Sequence, residues 1–570
     1  LGINFFRNST NYFLIFDKII IAGASKKFKF AQMRGTQNPL ILALTSGLLL
    51  GFAWPTEGIT LLIFIALVPL LQLEHCIRND KKQFKVLRIF AYSYLSFLLW
   101  NLITTWWLIH STFWGMAFAN LCNSLFFALI FTLFYWVKQR LPHKSAYVFL
   151  VASWLAFEKL HLEWDFSWTW LNLGNVFSEK IYWIQWYEYT GTFGGSLWVW
   201  IVNIWIFNRI QNHTSLLSIK SILTTLSTPL IAIALPIAFS LYTYQKVPLA
   251  EKKLNIALLQ PNIDPYNEKY KLTNLELLEQ LKDQMKPFKA IDFDYLLTPE
   301  TYFAEGFGEE LAIYDRSLLH QSIQKELINF PQTQWITGIQ FYDVYAQNDS
   351  PSLTANKVRE GLWVDYYNSA LQESFQNAPE AYHKSKLVVG IENMPFKKYL
   401  KPLLGDVLID LGGTVSSRVV QEKRSVFSHP VHQTQAAPII CWESVFGEFV
   451  TGYIREGAQF LAVISNDAWW ENTPGHRQLL SYTKLRAIET RRAIARSANT
   501  GISAFINAKG EIEKQTTYNT KTVLTGSIAP RDTITFYVRY GDALSRIAIL
   551  VCGLYLLLAL SGRIRPNAKA

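Results

Sequence analysis

Long apolar runs alternate with short polar breaks over the first 243 residues, and the pattern changes sharply after that. A helix that crosses a bilayer needs about 20 mostly apolar residues. Runs of this kind predict spans near 38–55, 59–75, 87–109, 112–137, 146–160, 186–208 and 221–243, with an eighth near 546–562; the 146–160 run is the shortest. The stretch between the seventh and eighth spans alternates instead. Short β-like runs at 254–260, 295–298, 335–340, 437–441, 460–465 and 502–507 are separated by amphipathic helical patterns near 271–287, 311–328 and 477–495. Strands that read as continuous Val, Ile and Leu runs belong to sheets covered by helices, which predicts an α/β layered domain. The expected organisation is an N-terminal interfacial or cytoplasmic segment (1–35), a seven-helix membrane domain (36–243), an extramembrane domain (244–545), and a closing span with a short tail (546–570).

Composition fits a membrane protein. Of 570 residues, 50% are hydrophobic and 17% charged, where a soluble domain carries about 25% charged residues. Disorder is excluded, since it needs low hydrophobicity and high net charge. The net charge of +11 gathers in short clusters between apolar runs, such as Lys26-Lys27, Lys81-Lys82 and Arg563-Ile564-Arg565. That is how membrane proteins mark cytoplasmic loops; nucleic acid is not expected as a partner, because no basic stripe interleaved with aromatics occurs. Alternate loops are basic, so eight spans with both ends in the cytoplasm put residues 244–545 on the far side. Residues 12–23 are apolar but broken by Asp17-Lys18, which reads as a helix lying on the membrane surface. Trp and Tyr crowd residues 164–187, either as an aromatic belt at headgroup level or as a platform admitting a lipid chain. Trp164, Trp170 and Trp183 are the candidate lipid contacts there.

Of four cysteines, Cys122 and Cys552 fall inside spans and Cys76 in a basic loop, leaving Cys441 as the single thiol of the 244–545 domain. A lone thiol outside the cytoplasm has no disulfide partner, so its presence calls for another reason. It ends an apolar strand and precedes a helical turn, a place where N–H groups and a helix dipole favour a thiolate. His429, His432 and His476 sit beside Pro430 or after Pro474-Gly475, poor positions for a base. No HExxH or paired CxxC occurs, so no zinc site is expected. Three segments remain, in order: Leu296-Leu297-Thr298-Pro299-Glu300, then Tyr382-His383-Lys384-Ser385-Lys386, then Ile440-Cys441-Trp442-Glu443. They resemble the Glu, Lys and Cys motifs of the nitrilase (carbon–nitrogen hydrolase) superfamily, and further likeness lies in Ile464-Ser465-Asn466-Asp467-Ala468-Trp469-Trp470 and Arg496-Ser497-Ala498-Asn499-Thr500-Gly501-Ile502. With seven spans before and one after, nearly everything beyond residue 35 resembles the apolipoprotein N-acyltransferases, the membrane-bound branch of that superfamily.

That resemblance implies a nitrilase-like αββα sandwich outside the cytoplasm, in the inner membrane of a bacterium on the periplasmic side. It implies an acyl chain taken from a phospholipid as a Cys thioester and passed to the amine of a diacylglyceryl-cysteine apolipoprotein. By motif, Glu300 is the base, Lys384 the oxyanion stabiliser and Cys441 the nucleophile, with Glu392, Glu443 and Trp442 in support. No cofactor is implied, since thioester exchange needs neither metal nor nucleotide. The chemistry is consistent: burial is expected to raise Glu300 and the Lys384 ammonium to lower Cys441, bringing the two pKa values together. The chain departs from the family's Pro-Phe-Gly before its supporting Glu, having Val389-Gly390-Ile391, so another backbone path is expected there. Residues 397–435 read as a long insert, lid-like or unstructured. Two other readings use the same residues: a membrane-anchored amidase with water as acceptor, and a silent membrane-bound interaction module, which an intact triad disfavours.

Overall fold

The apolar runs become helices in the computed structural model, which describes residues 38–212, 219–248, 253–269, 271–289, 291–345, 352, 354–393, 396 and 417–562. The 1–35 segment with its expected surface helix, the 563–570 tail and residues 397–416 of the expected insert lie outside the described residues. Among the described residues, five helices are long and apolar enough to cross a membrane: Thr60–Asn79, Lys85–His110, Phe113–Lys138, Ser227–Lys246 and Ala543–Ser561. Pro39–Phe52 is apolar but only 14 residues long. The 146–160 run lies in a 21-residue helix, His143–Glu163, whose last turns carry Glu158, Lys159 and Glu163; Thr192–Asn212 is also 21 residues. Helices therefore occupy all eight expected stretches, while five meet length and apolarity together.

The extramembrane part is built on two facing sheets. The first holds β1 (Leu254–Gln260), β2 (Tyr295–Leu297), β3 (Glu309–Glu310), β4 (Gln334–Val344), β5 (Asn356–Arg359), β6 (Leu362–Glu373) and β7 (Glu380–His383). The second holds β8 (Phe427–His429), β9 (Thr434–Ile440), β10 (Phe460–Ser465), β11 (Ile494–Ala498), β12 (Ala504–Ile506) and β13 (Ile512–Gln515). β14 (Thr522–Ile528) returns to the first sheet, antiparallel to β1. The central strands β1-β2-β4 and β9-β10-β11 run parallel within their sheets. Both are apolar on each face, as strands buried on two sides must be. Helices Asn274–Met285, opened by a Thr273–Glu276 capping box, and Leu318–Leu327 cover the first sheet. The order β-sheet, β-sheet with helices outside is the nitrilase-like α/β sandwich expected.

Two expectations need correction. The helix expected over 477–495 runs Pro474–Thr490 and stops at Arg491, which takes a left-handed φ of 53°. Residues beyond it form β11, whose Arg496 is buried. The helical reading overran because a strand with a buried arginine does not look apolar. The insert is the second: its later half is ordered, with Val419 N–H donating to the Tyr366 carbonyl and 427–429 forming β8.

The Pro474–Thr490 helix joins the two halves. Every residue of it except Arg477 is buried. Gln478 Oε1 accepts the Trp170 indole N–H at 2.6 Å, and its Nε2 donates to the Pro55 carbonyl at 2.8 Å. Tyr482 Oη accepts from Trp54 at 2.8 Å, and Lys484 pairs with Glu179 at 2.8 Å.

Candidate active site

Strand ends deliver the candidate residues to one place. Glu300 lies three residues beyond β2, Lys384 directly follows β7 and Cys441 directly follows β9. The loop carrying Glu300 packs tightly on β4, where Gly338 is required: a Cβ there would stand 2.3 Å from the Pro299 carbonyl oxygen. Lys384 Nζ reaches Glu300 Oε1 at 2.9 Å and Glu392 Oε2 at 2.8 Å. Glu300 Oε2 accepts the Asn466 backbone N–H at 3.1 Å. The turn at Val389-Gly390-Ile391, with Gly390 at φ 81°, still delivers Glu392, whose Oε2 also accepts the Val388 N–H at 2.9 Å. All four side chains are buried.

Glu443 is fully buried and sits behind the site. Its Oε1 accepts the Ser385 N–H and the Tyr382 hydroxyl, each at 2.7 Å, and its Oε2 accepts the Ile440 N–H at 2.9 Å. One carboxylate thus ties the loop bearing Lys384 to the loop bearing Cys441. Burial raises its pKa.

Burial would lower the Lys384 ammonium, but the charges of Glu300 and Glu392 hold it well above its ordinary value. Burial alone would raise Glu392; Lys384 and Arg418 hold it below the usual carboxylate range. The expectation of a depressed Cys441 is overturned. Burial and the Glu300 charge push the thiol well up, outweighing Lys384, because the side chain is only 7% exposed rather than displayed on an open turn.

Two residues escaped sequence reasoning. Asn368, in the middle of β6, donates Nδ2 to Glu300 Oε1 and to Glu392 Oε1, each at 2.8 Å, and its carbonyl accepts the Lys384 backbone N–H at 2.8 Å. It belongs to none of the three motifs, and its only signal is a polar residue in a sheet-forming stretch. Lys269 is buried, donates to Thr301 Oγ1, and is pushed down to about 8 by burial.

The aromatic candidates separate. Trp442 stacks on Trp170 with centroids 5.6 Å apart and planes 5° apart, and on Trp168 at 5.8 Å. Trp170 is fully buried, while Trp168 is half-buried. Trp164 instead packs on Phe126 at 5.1 Å and donates to His161 Nδ1 at 2.8 Å. Trp183 lies in a short 3₁₀ turn, Ile181–Trp183. Among the described residues neither makes a ring contact with Trp442.

One grouping has metal-like spacing: single ligand atoms of Asp294, His429 and His432 lie within 4.8 Å of one another. His432 Nε2 pairs with Asp294 Oδ1 at 2.6 Å, and His429 Nδ1 accepts the Val431 and His432 N–H groups at 3.2 and 3.3 Å. His429 ends β8, His432 lies in the turn into β9 and Asp294 directly precedes β2, so the group sits at the far end of the seven-residue β9 from Cys441, about 20 Å at the usual rise.

The chain matches two family profiles, the apolipoprotein N-acyltransferase N-terminal domain over residues 46–206 and the carbon-nitrogen hydrolase over residues 255–536. It is 28% identical to an apolipoprotein N-acyltransferase of Chlorobaculum tepidum over 543 residues, covering 93% of this chain and 98% of the relative. It is 25% identical to one of Geobacter metallireducens, covering 88% and 91%. Among solved structures, an amidase from Nesterenkonia aligns with 53% of this chain and 99% of its own, at 15% identity and a TM-score of 0.34.

Proposed function

Since the chain belongs to the apolipoprotein N-acyltransferase family, a group of membrane acyltransferases, we propose that Glu300, Lys384 and Cys441 carry its reaction and that Glu392 and Asn368 hold them in place. The observation that carries this reading is the buried cluster in which one ammonium bridges two carboxylates beside the single thiol of the domain.

The donor is a phospholipid. Glu300 takes the Cys441 proton as the sulfur attacks an acyl-ester carbonyl. Burial disfavours a free thiolate here, so the proton is taken in step with the attack. Lys384, kept charged by its two carboxylates, faces the negative charge that develops on the carbonyl oxygen. Collapse breaks the ester C–O bond, Glu300 returns the proton to the departing lysophospholipid alcohol, and the acyl chain remains on sulfur. The α-amine of a diacylglyceryl-cysteine apolipoprotein then attacks the thioester. Glu300 takes the amine proton, the C–S bond breaks, and the proton goes to the leaving sulfur. The half-buried Trp168 indole, stacked on Trp442, offers an apolar surface suited to acyl chains. The basic loops support an inner-membrane protein whose catalytic half faces the periplasm.

Purified protein incubated with phospholipid is expected to carry an acyl mass on the Cys441 peptide, and Cys441→Ser to lose both adduct and transfer. Near-normal transfer by Cys441→Ser would overturn the assignment. Lys384→Ala is expected to cost about 10² or more in rate.

A further inference from the structure

Arg418 stands in the described part of the 397–435 segment and has no role in the reaction as derived above. Its backbone N–H donates to the Glu392 carbonyl at 3.1 Å, which fixes it at the Glu392 end of the cluster, whereas Trp442 marks the Cys441 end. Both of its Nη groups donate to Gln340 Oε1, at 3.3 Å each. The Gln340 amide is not free to turn over, because its Nε2 donates to the Phe307 carbonyl at 2.9 Å. The guanidinium thus rests, half-buried, on a neutral oxygen, and among the described residues it forms no ion pair. A cation drawn partly out of water is costly without an anion beside it. The nearby carboxylates are already engaged, since Lys384 lies between Glu300 and Glu392 and takes both.

Strand register puts this guanidinium beside the reacting groups. Gln340 on β4 stands directly opposite Asn368 on β6, so their side chains share one face of the sheet. Asn368 is the residue that binds Glu300 and Glu392. Two residues earlier on β4, and on the same face, a Cβ at Gly338 would stand 2.4 Å from the Thr301 backbone nitrogen. The Thr301 hydroxyl accepts a hydrogen bond from Lys269. Arg418 and Lys269 therefore flank the Glu300 loop over one sheet face.

We propose that Arg418, backed by Lys269, binds the phosphate of the phospholipid donor and so selects a phospholipid over an uncharged glyceride ester. The reacting ester joins an apolar acyl chain to a glycerol that bears a negative phosphodiester. With its carbonyl carbon at Cys441 and its acyl chain against Trp168, the glycerol oxygen meets Glu300, which must protonate it. The phosphate then falls beyond Glu300, toward Asn368, Gln340 and Arg418. The diacylglyceryl group of the acceptor carries no phosphate, so the contact serves acylation of the enzyme and not its discharge. The inference rests on the acyltransferase reading given above.

The test is single-turnover acylation of the full-length protein in detergent, followed as acyl mass on the Cys441 peptide. The donors are dipalmitoyl phosphatidylglycerol and dipalmitoylglycerol, which share chains and esters and differ in the phosphate headgroup. Arg418→Gln is expected to lower the phospholipid-to-diacylglycerol rate ratio by about tenfold or more, the loss of a charge-assisted contact. Arg418→Lys should restore part of that ratio. Gln340→Glu keeps the guanidinium but gives it a carboxylate, and should lower the ratio in the same direction; it decides the matter if Arg418→Gln does not fold. A merely structural role slows both donors alike, and a ratio left unmoved overturns the proposal. So does a loss confined to discharge of the acyl-enzyme by a diacylglyceryl-cysteine peptide, which would assign the guanidinium to the acceptor. A parental protein that gains no acyl mass on Cys441 from either donor overturns the nucleophile assignment itself, and is recognised from the parent alone.

Discussion

Cys441 adopts φ 49°, a left-handed conformation that costs about 1–2 kcal/mol for a residue with a Cβ. The cost is met locally: Ser444 Oγ donates to the Cys441 carbonyl at 2.8 Å, and Glu443 fixes the preceding N–H. This turn aims the sulfur inward, where burial and Glu300 raise its pKa. A raised thiol pKa means the proton is held at neutral pH and lost only as pH climbs past the ordinary thiol range. Alkylation of Cys441 by a small electrophile is therefore expected to be slow at pH 7 and still accelerating at pH 9; a plateau below pH 8 would show a preformed thiolate. Asn368 gives a second expectation. It binds the two carboxylates that flank Lys384, and a hydrogen bond to a charged group is worth about 1.5–3 kcal/mol. Asn368→Ala should slow acyl transfer by about tenfold or more while leaving the protein folded and Cys441 alkylatable. The three catalytic candidates were legible because their residue types recur at strand ends in a fixed order. Asn368 was not, since an asparagine within a strand has no spacing partner and acquires its role only when β6 is laid beside β7.

Strands that are apolar on both faces were readable from composition: 254–260 and 460–465 match β1 and β10 to the residue. β6, Leu-Trp-Val-Asp-Tyr-Tyr-Asn-Ser-Ala-Leu-Gln-Glu, was not, because its buried positions carry Asn368, Ser369 and Glu373, paired with side chains from elsewhere in the fold. β11 was lost for the same reason, its arginine matched to Asp467. The aromatic segment shows the converse, since a run of tryptophans does not reveal which ring is wall and which is core. Trp170 is fully buried with its N–H on Gln478, so Trp170→Ala should destabilise the fold by about 3–5 kcal/mol and depress transfer and thiol alkylation alike. Trp168 is half-buried against Trp442. Trp168→Ala should impair transfer from long-chain phospholipid while sparing alkylation, measured on the same preparation; equal losses would make it core as well.

A long acyl chain led through water would lose about 0.8 kcal/mol for each exposed CH₂, so the membrane and catalytic halves must meet without a wet gap. The contacts of the Pro474–Thr490 helix with Trp54, Pro55, Trp170 and Glu179 make that junction. The orientation proposed from the basic loops is open to a direct check. Lys81→Cys and Glu360→Cys both place a thiol at an exposed position. A membrane-impermeant maleimide added to the periplasmic side should label Cys at 360 and not at 81, and labelling of both would sink the arrangement. The buried helix also bears on how the protein is made. Leu479, Leu480, Tyr482 and Leu485 are buried in one hydrophobic cluster that runs through both the catalytic half and the membrane segments. A catalytic half synthesised without its spans would leave them facing water, with a large share of its core missing on one side. Folding of the catalytic half is therefore expected to depend on insertion, with the buried Glu300–Lys384–Cys441 cluster completed only in a molecule already seated in lipid.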